Sequence, residues 1–375
     1  MKIILVQIGP IIKYPPALAV LQHLSDLGVE LMLCTTDIDQ GTFKLCKERD
    51  IGIINIDINY EKKISPILKL PRLIKIRKLI WKQINKIYDD NTIIWVFSDL
   101  ALKHLGKTLL EKKFILHMFE LSEKTLYYRK IPFLYLDTKK YANKAMKVIQ
   151  CEYNRAHIAK TWWGLKELPD ILPNKPYNKC EIKKSSVISD KYAKDVISKI
   201  KNKKIILYQG ILSKERPLEE IIKAVDKLGE DYAFVVMSSG ENIYKNINSS
   251  NYYFIPFITP PEHLKVTSHA YIGVLAYMPT ENEYSKLNSL YCAPNKIYEY
   301  SMFGIPMIGN DIPGLNYVFK TKECGTCFKE FKSEYIVNSI KEIEKSYEKM
   351  SINSKLLYNN TDTKKIIKNI LDKNS

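Results

Sequence analysis

Residues 294–315 read PNKIYEYSMFGIPMIGNDIPGL, and this stretch decides the fold. Pro294 and Asn295 open a short helix that carries Glu299 and stops at Gly304. Pro306 leads into the apolar run Met307-Ile308-Gly309, and Asp311, Pro313 and Gly314 form a turn cluster. The order is loop, helix start, helix, glycine stop, strand, loop. The first turn of such a helix leaves backbone N–H groups unpaired and carries the positive end of the dipole, which suits a pyrophosphate. Lys296 stands in that turn, either beside the phosphates or pointing to solvent. Glu299, one turn further in, lies at the depth where a carboxylate accepts hydrogen bonds from a ribose. The plainer reading is a βα unit of any α/β protein, in which Gly and Pro only punctuate.

On the N-terminal side of this stretch and beyond it, strands and helices alternate along the whole chain. Residues 2–7 form a continuous apolar strand, residues 17–27 a helix and residues 29–34 a second strand. Strands follow at 52–56, 93–97, 114–116 and 147–151, with helical patterns at 100–111 and 138–144. The pattern lapses into the polar, Pro-containing run LPNKPYNKCEIKKS and then resumes. Strands at 204–208, 232–237, 253–256 and 272–277 are separated by helices at 218–228 and 261–268. An amphipathic helix covers 335–350, and a last one lies near 363–371. Alternation of this kind implies right-handed βαβ units and parallel sheets covered on both faces. The expected organisation is a first domain over 1–172, a linker over 173–186, a second domain over 187–350, and a C-terminal helix in 351–375 that packs back on the first domain.

The 375 residues suffice for two domains, and 46% hydrophobic with 11% aromatic content rules out disorder. Lysine and arginine number 58 against 41 acidic residues, a formal charge of +17, which favours anionic partners such as a membrane surface, nucleic acid or phosphorylated substrates. No segment reaches 18 uncharged apolar residues, and the N-terminus reads as a first strand rather than a signal peptide. Seven scattered cysteines argue for a reducing compartment. Cys324-Gly325-Thr326-Cys327 has no second pair near it and reads as structural. Asp37-Ile38-Asp39 follows a strand as a turn would. No G-x-G-x-x-G or P-loop is present, which argues against dehydrogenases and NTPases.

The pattern P-x-K-x-x-E-Y-x-x-x-G-x-P, with Leu207-Tyr208-Gln209-Gly210, Arg216 before a helix, Phe257 after a strand and Ser268 to Val274, resembles the nucleotide-sugar site of GT-B glycosyltransferases. It is closest to the retaining group of bacterial polysaccharide enzymes. In the first half, Val148 to Glu152 with Arg155 is similar to the last strand of that family's acceptor domain. The resemblance implies an α/β fold of the GT-B type, two Rossmann-like domains facing a central cleft. It further implies that Gly210 admits the diphosphate and that Arg216 stabilises the departing nucleoside diphosphate. Pro294, Asn295 and Lys296 would support the phosphates, Glu299 would hold the ribose, and Phe257 and Ile258 would border the base. His117, just past the strand at 114–116, and Glu120 are the implied candidates for catalysis near the sugar or acceptor. His269 reads as packing. No metal or other cofactor is implied.

Two departures from the family's pattern stand out. The position eight residues before Glu299, where many retaining members carry a second glutamate, is Tyr291, and Glu281 and Glu283 stand at the wrong spacing. The usual basic pair at the phosphate loop is reduced to Arg216, followed by Pro217.

Residues 62–86 hold nine lysines and arginines and no acidic residue. Leu73, Ile76, Ile80, Ile84 and Ile87 fall on one helical face, and Arg72, Lys75, Lys78, Lys82 and Lys86 on the other. This stretch, Lys62 to Lys86, suggests docking on an anionic membrane surface, or a core-packed helix with a solvated lysine face. The function expected is sugar transfer from a nucleoside-diphosphate sugar to a glycan or lipid-linked acceptor in surface polysaccharide assembly. The expected setting is the cytoplasm, peripherally on the inner face of the plasma membrane. The rivals are a non-catalytic scaffold of the same fold and a nucleotide-sugar epimerase. A nucleic-acid partner explains the charge but not the motif, and no stacked aromatic and basic platform is evident.

Overall fold

The computed structural model describes residues 1–56, 58, 66–128, 131–177, 182–213, 216–279 and 285–372. Lys62, Lys63, Cys180, Glu281 and Glu283 lie outside the described residues. The chain divides into two units, Met1–Tyr177 with Asp362–Ser375, and Asn178–Thr361.

The strands of the first unit are β1 (Lys2–Gln7), β2 (Glu30–Thr35), β3 (Gly52–Asn55), β4 (Thr92–Phe97), β5 (Phe114–Met118), β6 (Thr125–Tyr128), β7 (Ile131–Leu136), β8 (Lys147–Gln150) and β9 (Asp170–Ile171). Its helices are α1 (Pro15–Asp26), α2 (Gln40–Glu48), α3 (Pro66–Ile84), α4 (Ser98–Leu105), α5 (Thr138–Lys144) and α6 (Tyr153–Trp163). Seven strands form a parallel sheet in the order β3-β2-β1-β4-β5-β8-β9, and β6 pairs antiparallel with β7. Ile3, Ile4, Leu5 and Val6 of β1 are all fully buried, as both faces of the sheet are covered. Ile76, Ile80, Leu102, Leu105, Tyr141 and Trp163 pack on one face, and Val20, Leu24, Ile367 and Ile370 on the other.

In the second unit the strands are β10 (Lys204–Gln209), β11 (Tyr232–Ser238), β12 (Tyr252–Pro256), β13 (Ile272–Leu275), β14 (Met307–Asn310) and β15 (Gly325–Phe328). The helices are α7 (Lys191–Lys199), α8 (Glu219–Leu228), α9 (His263–Thr267), α10 (Leu287–Leu290), α11 (Lys296–Ser301), α12 (Pro313–Lys322), α13 (Ser333–Lys345) and α14 (Tyr347–Asn360). The sheet is parallel in the order β12-β11-β10-β13-β14-β15. Each unit thus has the doubly wound order in which the first strand adjoins the fourth. Strand connections diverge there and open a crevice at the strands' C-terminal ends.

Three sequence expectations are corrected. Residues 335–350 are not one helix: α13 ends at Lys345, Ser346 leaves helical geometry at φ −125°, and α14 runs on to Asn360. Residues 351–375 therefore hold the rest of α14, which belongs to the second unit, and α15 (Thr363–Asp372), which belongs to the first. The apolar stripe Ile367, Ile370 and Leu371 seats α15 in the core beside α1. Pro313 and Gly314 do not form a turn but open α12, because proline at the first helical position loses no hydrogen bond.

The D-x-D pair is a helix cap. Asp39 Oδ1 accepts the Thr42 amide at 2.9 Å and Oδ2 the Thr42 hydroxyl at 2.5 Å, holding the start of α2. Cys324 immediately precedes β15 and Cys327 lies within it, and burial pushes both thiols up to about 12.

Candidate functional site

The second unit gathers its polar side chains where β10 ends. Gly210, at φ +130°, follows the last residue of that strand. A Cβ there would lie 2.8 Å from Lys296 Cε and 2.9 Å from Nζ, so the missing side chain makes the room that Lys296 fills. Lys296, the first residue of α11, lays its ammonium 4.6 Å from the Tyr208 ring centre and 5.5 Å from that of Tyr277. Its Nζ is shut off from solvent and has no hydrogen-bond partner among the described residues. Burial, and then the neighbouring charge of Arg216, pull its pKa down to about 7. The Arg216 guanidinium packs 5.3 Å from the centre of the same Tyr277 ring and donates to the Ile211 carbonyl at 3.2 Å. Two cations therefore share one aromatic ring. Of the two orientations open to Lys296 in the sequence, the structure shows the inward one.

Glu299 lies in the first turn of α11, its side chain 13% exposed. Gln209 Nε2 donates to Oε2 at 2.5 Å, and His263 Nε2 stands 3.6 Å from Oε1. Burial alone would raise the carboxyl's pKa. His263, Gln209 and the Lys296 charge outweigh it and hold the group below the ordinary carboxylate value.

Packing fixes where α11 sits. Tyr300 is fully buried, its ring against Gly273 of β13 and its hydroxyl 2.9 Å from the Leu207 carbonyl of β10. At the far end Gly304 turns at φ +65°. Helix α14 then covers the carbonyls that follow the helix: Ser351 Oγ donates to Gly304 O at 2.6 Å, Ser354 Oγ to Ile305 O at 2.8 Å and Lys355 Nζ to Met302 O at 2.5 Å. Helix α11 is only six residues long, and Pro294 and Asn295 carbonyls already accept amides of its first turn. The positive field here thus comes from Lys296 and Arg216 more than from a helix dipole. Phe257 follows β12 with 59% of its surface exposed, and Ile258 packs on the core that holds Ile297 and Tyr300. Tyr291 caps the end of α10.

In the first unit, His117 is not past a strand edge. It is part of β5, buried among Trp95, Phe97 and Phe119. Its strand continues to Met118 because these residues extend the apolar ladder alongside β4 and β8. Burial pushes its pKa down to about 3, so the ring is neutral and a poor general base. Nδ1 faces the Trp95 Nε1–H at 3.4 Å, which places the ring's own proton on Nε2. That Nε2 is buried and has no partner among the described residues. Glu120 is exposed in the loop after β5. Arg155 holds that loop by donating to the Phe119 carbonyl at 2.7 Å.

The structure brings Gly210, Arg216, Lys296 and Glu299 together in one unit, and His117 and Glu120 near the end of one strand in the other. Tyr208, Gln209, His263, Thr267 and Tyr277 were not singled out in sequence as site residues. Their roles arise where β10, α9 and the segment after β13 converge, and no local spacing marks them.

No family model matches the sequence, and no curated protein matches it. Solved structures match in fold over essentially the whole chain. A glycosyltransferase from Rickettsia africae ESF-5 superposes with a TM-score of 0.70 at 15% identity, covering 100% of this chain and 97% of that one. The Anabaena protein HepE, in complex with UDP and glucose, gives 0.68 at 12% identity, covering 100% and 99%. Sucrose-phosphate synthase from Thermosynechococcus elongatus gives 0.65 at 15% identity, covering 99% and 94%. At such identities the likeness is one of fold, and the chain has the GT-B fold of two Rossmann-like units.

Proposed function

We propose that this GT-B chain moves a sugar from a nucleoside-diphosphate sugar to a hydroxyl of a glycan or lipid-linked glycan. The observation that carries this reading is the Lys296 ammonium, buried beside Arg216 with no hydrogen-bond partner among the described residues and one helical turn from the Glu299 carboxylate. Two cations and a carboxylate at that spacing match a diphosphate followed by a ribose. As the sugar–phosphate bond breaks, negative charge grows on the diphosphate, and Arg216 with Lys296 offsets it without a divalent ion. Phe257 and Ile258 border the base. In the first unit, His117 and Glu120 are the residues assigned to the transfer step, Glu120 as the group that takes the proton of the acceptor hydroxyl. The UDP held by the similarly folded HepE supports uracil as the first base to try.

A thermal-shift screen against UDP, GDP, ADP, TDP and CMP and their sugar conjugates tests the donor site. A ligand at about 100 times its Kd stabilises the folded state by about 2.7 kcal/mol. One nucleoside diphosphate is expected to raise the midpoint of the wild type and not of Glu299→Ala. No shift from any nucleotide sinks the donor-site assignment. Tyr291, standing where a glutamate is expected, favours a second reading, a chain that binds without transferring. Nucleotide binding with no sugar transfer to any glycan acceptor would establish it.

The acceptor is proposed to be lipid-linked, reached on the cytoplasmic face of the membrane during surface polysaccharide assembly. Helix α3 buries Leu73, Ile76, Ile80, Trp81 and Ile84 in the core of its own unit, so that face is not available to lipid. What remains outward is Lys69, Lys75, Lys78, Lys82 and Lys86, with Leu70 and Ile74 exposed at 42% and 43%. Among the described residues no helix is long and apolar enough to cross a membrane. Binding through α3 is therefore electrostatic, at about 1 kcal/mol per lysine. Reversing Lys75, Lys78 and Lys82 to glutamate is expected to weaken binding to phosphatidylserine vesicles by more than about 100-fold at low salt. The melting temperature should stay put. Wild-type protein that ignores such vesicles at low salt would end this part of the reading.

A further inference from the structure

The Glu299 carboxylate is braced from behind by a set of side chains that a ribose could not itself touch. Gln209 is buried at the end of β10 and Thr267 at the end of α9. Thr267 Oγ1 lies 2.6 Å from Gln209 Oε1, and Gln209 Nε2 lies 2.5 Å from Glu299 Oε2. An ionised carboxylate only accepts, so the amide must turn its NH2 towards Glu299 and its oxygen towards Thr267. The Thr267 hydroxyl then donates to that oxygen and fixes the amide in this sense. His263, four residues before Thr267 on the same helix, meets the other carboxylate oxygen at 3.6 Å. Oε2 of Glu299 is thus held by a hydrogen bond and Oε1 is faced by an imidazole, and each keeps a further lone pair for a ligand.

We propose that Thr267, Gln209 and His263 are positioning residues that lock the Glu299 carboxylate in the orientation that reads both ribose hydroxyls, and so make the site select ribonucleotides over 2′-deoxyribonucleotides. This rests on the reading of Glu299 as the ribose-binding group. Two hydroxyls donate to one carboxylate only if its plane is fixed. A carboxylate free to turn keeps its charge but loses the pairing. The expected cost of losing it falls on the 2′-hydroxyl contact and leaves the diphosphate contacts of Arg216 and Lys296 unchanged.

The test is calorimetric titration of UDP, GDP and ADP against dUDP, dGDP and dADP into the full chain. For the base that binds, the wild type should prefer the ribonucleotide by about 10- to 100-fold, the range of a hydrogen bond to a charged group. Glu299→Gln should reduce that ratio. Thr267→Val and His263→Asn should each reduce it to about threefold or less, while affinity for the deoxynucleotide stays within about twofold of wild type. Thr267→Ser, which keeps the hydroxyl, should restore the preference. A purely structural role would weaken both nucleotides together, which overturns the proposal. If Glu299→Gln loses the preference and both Thr267→Val and His263→Asn keep it, the positioning role is wrong and the ribose reading stands. Wild-type protein that binds none of the six, or binds each pair equally, overturns both.

Discussion

Replacing Lys296 with methionine is expected to stabilise the ligand-free protein at neutral pH and to abolish its binding of nucleoside diphosphates. A lysine whose pKa falls from 10.5 to about 7 on folding is an unfavourable charge in the folded state. At ~1.4 kcal/mol per pH unit that cost is ~5 kcal/mol, present in full below pH 7. Between about pH 7 and 10.5 the unfolded chain holds a proton that the folded chain has released, so stability rises with pH across that window. Above it the cost is gone. Methionine has a similar length, keeps contact with the Tyr208 and Tyr277 rings and carries no charge. Lys296→Met should therefore melt higher than wild type at pH 6.5, with the gap closing towards pH 10. Ligand affinity carries the opposite sign. A bound diphosphate restores the proton to Lys296, so above pH 7 binding takes up a proton and weakens as pH rises, by up to about tenfold per unit. Denaturant melts at pH 6.5 and 9.5, with titrations of the nucleotide at pH 7 and 8.5, check both arms. A variant that melts lower at pH 6.5 and still binds would show that Lys296 is a structural cation with a partner of its own.

The Lys296 result also marks how far the sequence could be read. The motif at 294–315 located a helix, a glycine stop and a strand, and α11, Gly304 and β14 stand there. Local propensity and period suffice for such elements, because β1, β10 and β14 are buried on both faces and are written as unbroken apolar runs. Neither the short amphipathic α2 and α7 nor the β6–β7 hairpin follows from such runs. The first two interrupt no apolar run, and the hairpin lies outside the parallel alternation that organised the reading. At the site, Gly210, Arg216 and Glu299 were recognisable from type and order. The direction of the Lys296 side chain was not, since it depends on Tyr208 from β10 and on Tyr277, which follows β13. The apolar face of α3 was legible as a face but not as to what covers it. Its pattern is the same whether lipid or a core lies opposite, and here the core does. His117 shows the same limit. The sequence placed a histidine by the sheet, but only the aromatic residues packed around it make the ring neutral.

Gly273→Ala is expected to destabilise the second unit and to disable the proposed donor site from a position that no ligand need touch. An alanine Cβ at residue 273 would fall 2.4 to 2.7 Å from three carbons of the Tyr300 ring, where carbon atoms need about 3.5 Å. The ring cannot swing away, because it is fully buried and its hydroxyl is tied to the Leu207 carbonyl at 2.9 Å. Relief must come from moving α11 off the sheet by about 1 Å, and overpacking of this kind costs about 1–3 kcal/mol or more. The same movement carries Glu299, the residue before Tyr300, and Lys296, one turn earlier on α11, away from Gln209 and Gly210. A displacement of about 1 Å in positioning groups is worth about 100-fold in activity, so nucleotide affinity and transfer should fall much further than the loss of stability alone would bring. The second variant Tyr300→Leu separates sterics from any other effect of the alanine. Alone it leaves a cavity and costs a few kcal/mol. Combined with Gly273→Ala it removes the clash, so the double variant should melt higher than the sum of the two single losses, a coupling of about 1–3 kcal/mol in a double-mutant cycle. Additive losses would mean that the Tyr300 ring does not set the distance between α11 and the sheet, and that Lys296 and Glu299 are held chiefly from the other end, by Ser351, Ser354 and Lys355 of α14.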